Sequence, residues 1–171
     1  VENANAVAVV FMNTNAAAAG GLIAALVVAR LVFGKADLTM ALNGALAGLV
    51  SITAEPLAPS LFQALIIGGI GGAIVVYAVP LLDKLKIDDV VGAIPVHGFC
   101  GAWGTLAAGL FYQGDLFNGE RIVIQLLGIA SAFAWAFGTA LILFLALRFT
   151  VGIRASTLHE QHGLDYTEHN D

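Results

Sequence analysis

Five long apolar stretches, separated by four short polar connections, account for most of this 171-residue chain. None of them alternates strictly between apolar and polar residues as a half-buried strand does, so the pattern predicts helices. A helix rises about 1.5 Å per residue, and about 20 apolar residues cross the hydrocarbon core of a bilayer. The pattern therefore predicts an all-α polytopic transmembrane bundle of five helices. Their predicted ranges are 6–33, 38–53 (short for a span, and expected inside the bundle), 62–82, 90–111 and 122–147.

The basic residues lie mostly at one end of the predicted helices. If the first helix ends in the cytoplasm, six of the seven Lys and Arg residues lie inside and only Arg121 lies outside. This asymmetry follows the positive-inside rule and predicts a cytoplasmic C-terminus. We therefore expect residues 1–150 to form a transmembrane domain and residues 151–171 to form a cytoplasmic tail.

The composition agrees with this class. Hydrophobic residues make up 59% of the chain and charged residues only 11%, against about 25% charged in a soluble domain. The single cysteine, Cys100, excludes an internal disulfide and a cysteine-built metal site. The chain starts at Val1 without a basic segment before its first apolar run, which argues against a signal peptide and leads us to expect that its beginning is missing.

The fourth apolar stretch contains an ionisable residue, His97, which a helix over 90–111 would place near mid-depth in the membrane. An ionisable side chain there is costly unless it faces a cavity or a partner, so His97 is a candidate functional residue. The alternative is a core histidine satisfied by a neighbouring helix. Pro95 cannot donate to the carbonyl of Val91 and should bend or loosen the helix. Glycines are expected to leave one side of this helix bare for close packing, at Gly98, Gly101, Gly104 and Gly109.

Two other groups of residues predict close helix packing. The polar patch at residues 13–15 suggests hydrogen bonds between helices, followed by a run of small residues suited to tight contact. In the third stretch, glycines predict a tightly packed face, at Gly68, Gly69, Gly71 and Gly72.

The tail is polar, and its spacing predicts one short helix. Thr157 and Glu160 have the spacing of a capping box, and Gly163 suits the position just after a helix, so we expect a helix near 158–162. Three tail histidines, His159, His162 and His169, lie beside Glu160 and Asp165 in sequence. We favour a solvated tail that contacts a partner over a metal site there.

Several segments resemble one known family. IDDVVGAIPVHGFCGAWGTLAAGLF closely resembles the tenth transmembrane helix of ammonium transporters, the Amt/MEP/Rh family. ALNGALAGLVSITAEP resembles the eighth helix of that family, VFMNTNAAAAG the seventh, and HGLDYTEHND the cytoplasmic C-terminus. The resemblance covers essentially the whole chain. It implies a trimeric channel of eleven helices in inverted repeats, of which this chain is expected to hold only helices seven to eleven.

The resemblance also implies roles for individual residues. His97 matches the second of two pore histidines, and Thr53 matches a threonine of the outer ammonium site. Asp88 and Asp89 match acidic residues at the cytoplasmic start of the helix that contains His97, which we call the histidine helix. Gly163 to Asp165 match a tail segment that docks under the neighbouring subunit, where regulators of the P-II class bind. The first pore histidine and the outer aromatic cage belong to helices outside this sequence.

Physical chemistry favours ammonia over ammonium as the species that crosses an apolar pore. Moving a small cation into apolar surroundings costs on the order of 20 kcal/mol in the idealised limit. Releasing the proton of ammonium near pH 7 costs only about 3 kcal/mol, at 1.36 kcal/mol for each of about two pKa units. A neutral imidazole offers one donor and one acceptor to ammonia. The family resemblance, with which this chemistry agrees, implies an ammonium channel, not an enzyme, in a bacterial inner membrane.

Two other classes of function remain open from the sequence. One is a membrane sensor or regulatory subunit of the same family, with the tail as its output. The other is a membrane haem protein, but bis-histidine ligation needs two intramembrane histidines and only His97 lies within a predicted span. No cofactor, metal or nucleic-acid partner is expected.

Overall fold

The computed structural model describes residues 2–169, with side chains over 3–168, and this part of the chain contains helices and no strand. The chain forms two compact units, Val1–Ile129 and Ala130–Asp171, which are described separately. The all-α prediction is confirmed. The elements are α1 (Glu2–Phe33), α2 (Leu38–Ile52), α3 (Leu61–Lys84), a first π-helical turn (Ile94–Phe99), α4 (Cys100–Leu110), α5 (Gly119–Thr150), α6 (Thr157–His162) and a second π-helical turn (Asp165–His169).

Three of the described helices are long and apolar enough to cross a bilayer on their own: Asn3–Phe33 of α1, all of α3, and all of α5. With 15 residues, α2 is shorter and spans roughly 22 Å. Its start is fixed by Asp37, whose carboxylate accepts a hydrogen bond from the Met40 amide at 2.9 Å. Ser60 and Gln63 form a capping box at the start of α3. The predicted ranges of these helices are therefore correct to within four residues at each end.

Helices α1, α2 and α3 pack closely because small residues line the contacts. A Cβ atom added to Gly68 of α3 would overlap the backbone of Ala17 in α1, and one added to Gly72 would overlap the backbone of Gly21. From the other side, a Cβ on Gly48 of α2 would also overlap the backbone of Ala17. Ala17 is fully buried between these contacts. Backbone therefore touches backbone across three helices, the mode of association typical of membrane bundles.

Long-range side-chain hydrogen bonds hold backbone carbonyls inside the first unit. Asn13 of α1 is 1% exposed and donates to the carbonyls of Pro56 and Pro59 at 2.9 and 2.8 Å. Trp103 of α4 donates to the carbonyl of Ile67 at 3.0 Å. The expectation that Asn13 would bond to a neighbouring helix is wrong about the partner. The α2–α3 loop contains prolines that cannot donate backbone hydrogen bonds, and Asn13 satisfies two of its carbonyls instead.

The histidine helix differs from its prediction at the N-terminus. The helix does not begin at Val90 but at Ile94, after an irregular stretch in which Gly92 has a φ of +76°. The first turn is π-helical, with Pro95 at its start, and α4 follows directly from Cys100. His97 therefore lies in the first turn of this helix and not near its middle. The physical reason is that the chain before Ile94 forms a separate cap, described below.

The second unit contains the C-terminal part of α5 and the tail. No residue of α5 is buried, and its large apolar side chains, such as Trp135, are exposed. A helix that is apolar all round and unburied is suited to contact with lipid or with other membrane helices. In the tail, α6 begins one residue earlier than the predicted range, because the capping residue is Ser156 and not Thr157. The hydroxyl of Ser156 accepts a hydrogen bond from the His159 amide at 3.3 Å.

Candidate functional site

The side chain of Asp89 caps the N-terminus of the histidine helix. One of its carboxylate oxygens accepts a hydrogen bond from the Ala93 amide at 2.9 Å, and the other accepts one from the Ile94 amide at 2.7 Å. These amides belong to the first turn of a helix, where backbone donors have no intrahelical partner. A carboxylate at this end is also favoured by the helix dipole. The neighbouring Asp88 is exposed and makes no hydrogen bond within the described residues, so the two acidic residues differ structurally.

Gly92 brings this cap against α2. Its positive φ suits glycine, and its Cα faces the side chain of Asn43 so closely that an added Cβ would lie 3.1 Å from the Asn43 amide nitrogen. The same region of the molecule contains a cleft of about 410 Å³. One wall is the N-terminal half of α2, with Thr39, Leu42, Asn43 and Leu46, and the other comprises residues 90–93, Val96 and His97.

His97 is exposed at the edge of this cleft. Within the described part of the chain its imidazole makes no hydrogen bond, whereas the adjacent Val96 is buried in the core. No helix within the described residues therefore satisfies the imidazole. The imidazole is available to a molecule in the cleft or to groups that the chain itself does not contain.

The glycines of the histidine helix do not all mark close contacts. A Cβ on Gly104 would overlap the backbone of Ser51 in α2, as expected for close packing. At Gly98 an added Cβ would lie 3.7 Å from the Ile94 side chain, and at Gly101 it would lie 3.9 Å from the Val50 side chain. These are ordinary distances, so the expected close approach at Gly98 and Gly101 is not found among the described residues. Both glycines instead reduce the bulk of the helix near His97.

Thr53 lies at the opposite end of α2 from the cleft. It is the C-terminal capping residue, it is exposed, and its hydroxyl donates to the Val50 carbonyl at 2.7 Å. The hydroxyl proton is thus used within the helix, and the oxygen remains able to accept hydrogen bonds. At 100° per residue, Thr53 lies within roughly 80° of Asn43 around the α2 axis and about 15 Å from it along the axis. The structure does not bring Thr53 and His97 into contact.

Gly163 connects the two short helical segments of the tail. It has a φ of +91°, and its carbonyl accepts hydrogen bonds from the Thr167 amide at 3.2 Å and the Thr167 hydroxyl at 3.1 Å. The second π-helical turn begins two residues later, at Asp165. Gly163 therefore ends α6, as expected, and also starts the next turn. A residue with a Cβ would be strained at this φ.

Glu160 pairs with Arg154 across the start of α6. The carboxylate accepts a hydrogen bond from the guanidinium at 2.8 Å, and this bond lowers the pKa of Glu160 below its ordinary value. Glu160 does not complete the capping box that its spacing suggested. No group of three His, Cys, Asp or Glu side chains within the described residues is arranged to hold a metal ion. The side chain of His169 lies outside those residues.

Asn43 is the residue at this site that the sequence analysis did not select. A sequence signal was present: Thr39 and Asn43 are polar residues one helical turn apart in a helix whose other residues, apart from Ser51, are apolar. Only the packing of Gly92 against α2 shows that this polar pair shares a cleft with His97.

Known proteins resemble the chain over nearly its whole length. The sequence profile of the Ammonium Transporter Family matches residues 1–171. The chain is 42% identical to the ammonium transporter Amt2 of Archaeoglobus fulgidus and 39% identical to a putative ammonium transporter of Synechocystis, over 95% and 98% of its length. It spans about 38% of each of these relatives.

Solved structures agree. A protein described as a sensor Amt protein superposes with a TM-score of 0.88 at 34% identity, over 94% of this chain and 42% of that one. Mep2 of Saccharomyces cerevisiae superposes with a TM-score of 0.79 at 28% identity, over 87% of this chain and 37% of that one. The fold and the apolar helices define an integral membrane protein, a polytopic bundle of the transporter class. The chain belongs to the ammonium transporter family.

Proposed function

We propose that the full-length protein to which this chain belongs is a channel that captures ammonium outside the cell and passes ammonia along a pathway lined by His97. The observation that carries this proposal is the exposed imidazole of His97 at the edge of a cleft between membrane helices. A histidine in such a position is expensive unless it serves a pathway or has a partner. Membership of the family adds the substrate class, since relatives that share 39–42% of the aligned residues are described as ammonium transporters.

The two ends of α2 suit the two chemical forms of the substrate. Ammonium has four N–H donors and no acceptor, so its capture needs oxygen atoms, and Thr53 offers one at the proposed outer end. Ammonia has one lone pair and three donors, and a neutral imidazole can serve it with one donor and one acceptor nitrogen. Losing the proton at about 3 kcal/mol costs far less than burying the cation. The proposed order of events is therefore capture at Thr53, release of the proton to a separate polar route, and passage of ammonia past His97.

We further propose a homotrimer in a bacterial plasma membrane, with the C-terminus in the cytoplasm. The basic side chains of Lys84, Lys86 and Arg148 lie at helix ends that this orientation places inside. The exposed tail would dock under the neighbouring subunit. A P-II-class regulator would bind at the same cytoplasmic face.

A second candidate function is sensing. The similarity to a structure described as a sensor Amt protein favours it, because that similarity covers 94% of this chain. In this alternative, ammonium binds at the outer site without net conduction, and the tail transmits the signal. The two functions share the site and differ in flux.

Flux measurements on the full-length protein distinguish the two functions. In proteoliposomes with an inward ammonium gradient, a channel changes the internal pH and allows nitrogen to accumulate, and empty liposomes provide the background. Residues 1–171 reconstituted alone should give no flux above that background, because they span about 38% of the relatives. Saturable ammonium binding by the full-length protein without flux would replace the channel with the sensor.

The tail gives a further prediction. Gly163→Val should lower ammonium flux of the full-length protein without altering any residue of the cleft, because valine cannot adopt the φ of +91° without strain and Asp165 would be misplaced. Gln161→Val introduces the same side chain at an exposed helical position and is the matched control. Flux is compared at equal protein per liposome. If both variants match the wild-type flux and its response to the regulator, the tail has no role in activity.

A further inference from the structure

We infer that Asn13 is a positioning residue for the capture of ammonium. Its side chain holds the α2–α3 loop, residues 53–60, in the shape that presents the Thr53 oxygen to the outside. This inference rests on the proposed channel function, which assigns ammonium capture to Thr53. Asn13 does not touch the ligand and acts only through the loop.

The first observation is the geometry of the Asn13 amide. Its nitrogen donates to the carbonyl of Pro56 at 2.9 Å and to the carbonyl of Pro59 at 2.8 Å. The side chain is 1% exposed, so these bonds are shielded from competing water. An amide nitrogen has two hydrogens, and both are used on this loop. Because α1 holds the loop at two points three residues apart, both the position and the orientation of the loop are fixed.

The second observation is that the other hydrogen bonds of the loop are local. The Glu55 carboxylate accepts hydrogen bonds from the amides of Leu57 and Ala58 at 3.3 and 3.2 Å, and a capping box closes the end of the loop at α3. The two prolines have no amide hydrogen to contribute. Within the described residues, only the Asn13 amide connects the loop by hydrogen bonds to a helix other than α2 and α3.

The third observation is where the loop lies. It continues directly from Thr53 and lines a cleft of about 300 Å³, together with Tyr112 and Gln113. The shape of the loop therefore determines what surrounds the Thr53 oxygen. If the loop kept only its local bonds, ammonium binding would have to order it, and that conformational entropy would be lost from the affinity. Passage of ammonia through the rest of the pathway would not change.

The test uses saturable ammonium flux by the full-length protein in proteoliposomes. Asn13→Leu keeps the branched shape of the side chain and removes the donors, and Asn13→Ala removes them without added bulk. For both, we expect the half-saturating ammonium concentration to rise about three- to tenfold, the factor that one net hydrogen bond corresponds to. The maximal flux should be nearly unchanged. Asn15→Leu is the matched control, because the exposed Asn15 amide bonds only to the Phe11 carbonyl of its own helix.

A purely structural role for Asn13 predicts a different result. In that case the variants lower the melting temperature and the maximal flux, and the half-saturating concentration stays at its wild-type value, which would overturn the inference. A double-mutant cycle with Thr53→Ala tests the connection to the capture site. If Asn13 acts through Thr53, the double variant should be no worse than the stronger single variant. Fully additive effects would show that Asn13 acts elsewhere.

Hydrogen exchange of the wild-type protein provides a test that does not depend on the folding of any variant. The amides of Leu57 and Ala58 should exchange more slowly than in a free peptide of the same sequence, because the loop that contains them is held in place. Exchange as fast as in the peptide would contradict the inference.

The proposed channel function can fail independently of Asn13. Wild-type protein without flux would contradict the channel, and an unchanged half-saturating concentration in Thr53→Ala would contradict capture at that residue. If Thr53→Ala raises this concentration and Asn13→Leu and Asn13→Ala do not, only the role of Asn13 is wrong.

Discussion

His97→Ala is expected to reduce ammonia conduction by the full-length protein by up to about tenfold while leaving its fold intact. The imidazole makes no hydrogen bond within the described residues, so its removal breaks no hydrogen bond in this part of the structure. Ammonia that crosses an apolar region depends on the few hydrogen-bonding groups along its path. A net hydrogen bond contributes roughly 0.5–1.5 kcal/mol, and about 1.4 kcal/mol corresponds to a tenfold change in rate.

The measurement is initial ammonium-driven alkalinisation in proteoliposomes, together with the current that accompanies it. His159→Ala removes the same side chain from an exposed position in the tail and is the matched control. Gel filtration and melting temperature check that the variant is folded. Wild-type flux and an unchanged current in His97→Ala would show that the histidine is not part of the pathway.

The helices of this chain are largely predictable because their cause is local. Long apolar runs require helices in a membrane, since every backbone group must be satisfied internally. Capping residues such as Asp37 and Ser60 then fix the starts of α2 and α3. The start of the histidine helix was mispredicted because Val90 and Val91 are apolar and extend the hydrophobic pattern. In the structure, the Asp89 carboxylate accepts hydrogen bonds from the amides four and five residues later, so the helix begins after these valines. Hydropathy does not detect a cap that lies outside the apolar run.

The site is less predictable because it depends on contacts between elements. The family resemblance selects His97, but the sequence does not show that Asn43 shares its cleft. That juxtaposition requires the left-handed turn at Gly92 to pack against α2. The partner of Asn13 is a similar case, since a buried amide can satisfy a loop as well as a helix. Pairing across long sequence separations is a tertiary property, and residue type alone does not determine it.

The glycines of α3 also show that residue type alone does not determine contacts between helices. Gly68 and Gly69 are adjacent in α3 and look equivalent in sequence. In the structure, however, an added Cβ at Gly68 would overlap the backbone of Ala17, whereas at Gly69 it would lie 3.7 Å from the Gly20 carbonyl oxygen and 3.9 Å from the Ala24 side chain. Only the first position faces the partner helix at close range. The difference predicts a large stability contrast between two adjacent positions.

Gly68→Ala is expected to destabilise the full-length protein markedly, while Gly69→Ala should leave it nearly unchanged. The methyl group at position 68 meets backbone atoms, which cannot rotate away, so α1 and α3 must separate. Inserting a methyl group into a packed core typically costs 1–3 kcal/mol, and separating α1 from α3 also disturbs the contact of Gly48 with Ala17. We therefore expect a loss of about 2 kcal/mol or more at position 68 and a change within about 0.5 kcal/mol at position 69.

The measurement is thermal and denaturant stability of the purified full-length protein in one detergent, with the two alanine variants side by side. Both variants add the same methyl group, one residue apart in one helix, so differences in helix propensity and detergent contact largely cancel. A third variant, Gly138→Ala, adds the methyl group in α5 at a position with no atom within 4 Å, and it should behave like Gly69→Ala. Equal stability of Gly68→Ala and Gly69→Ala would mean that α1 and α3 are not held in backbone contact at Ala17, and that the small residues of these helices serve some purpose other than close packing.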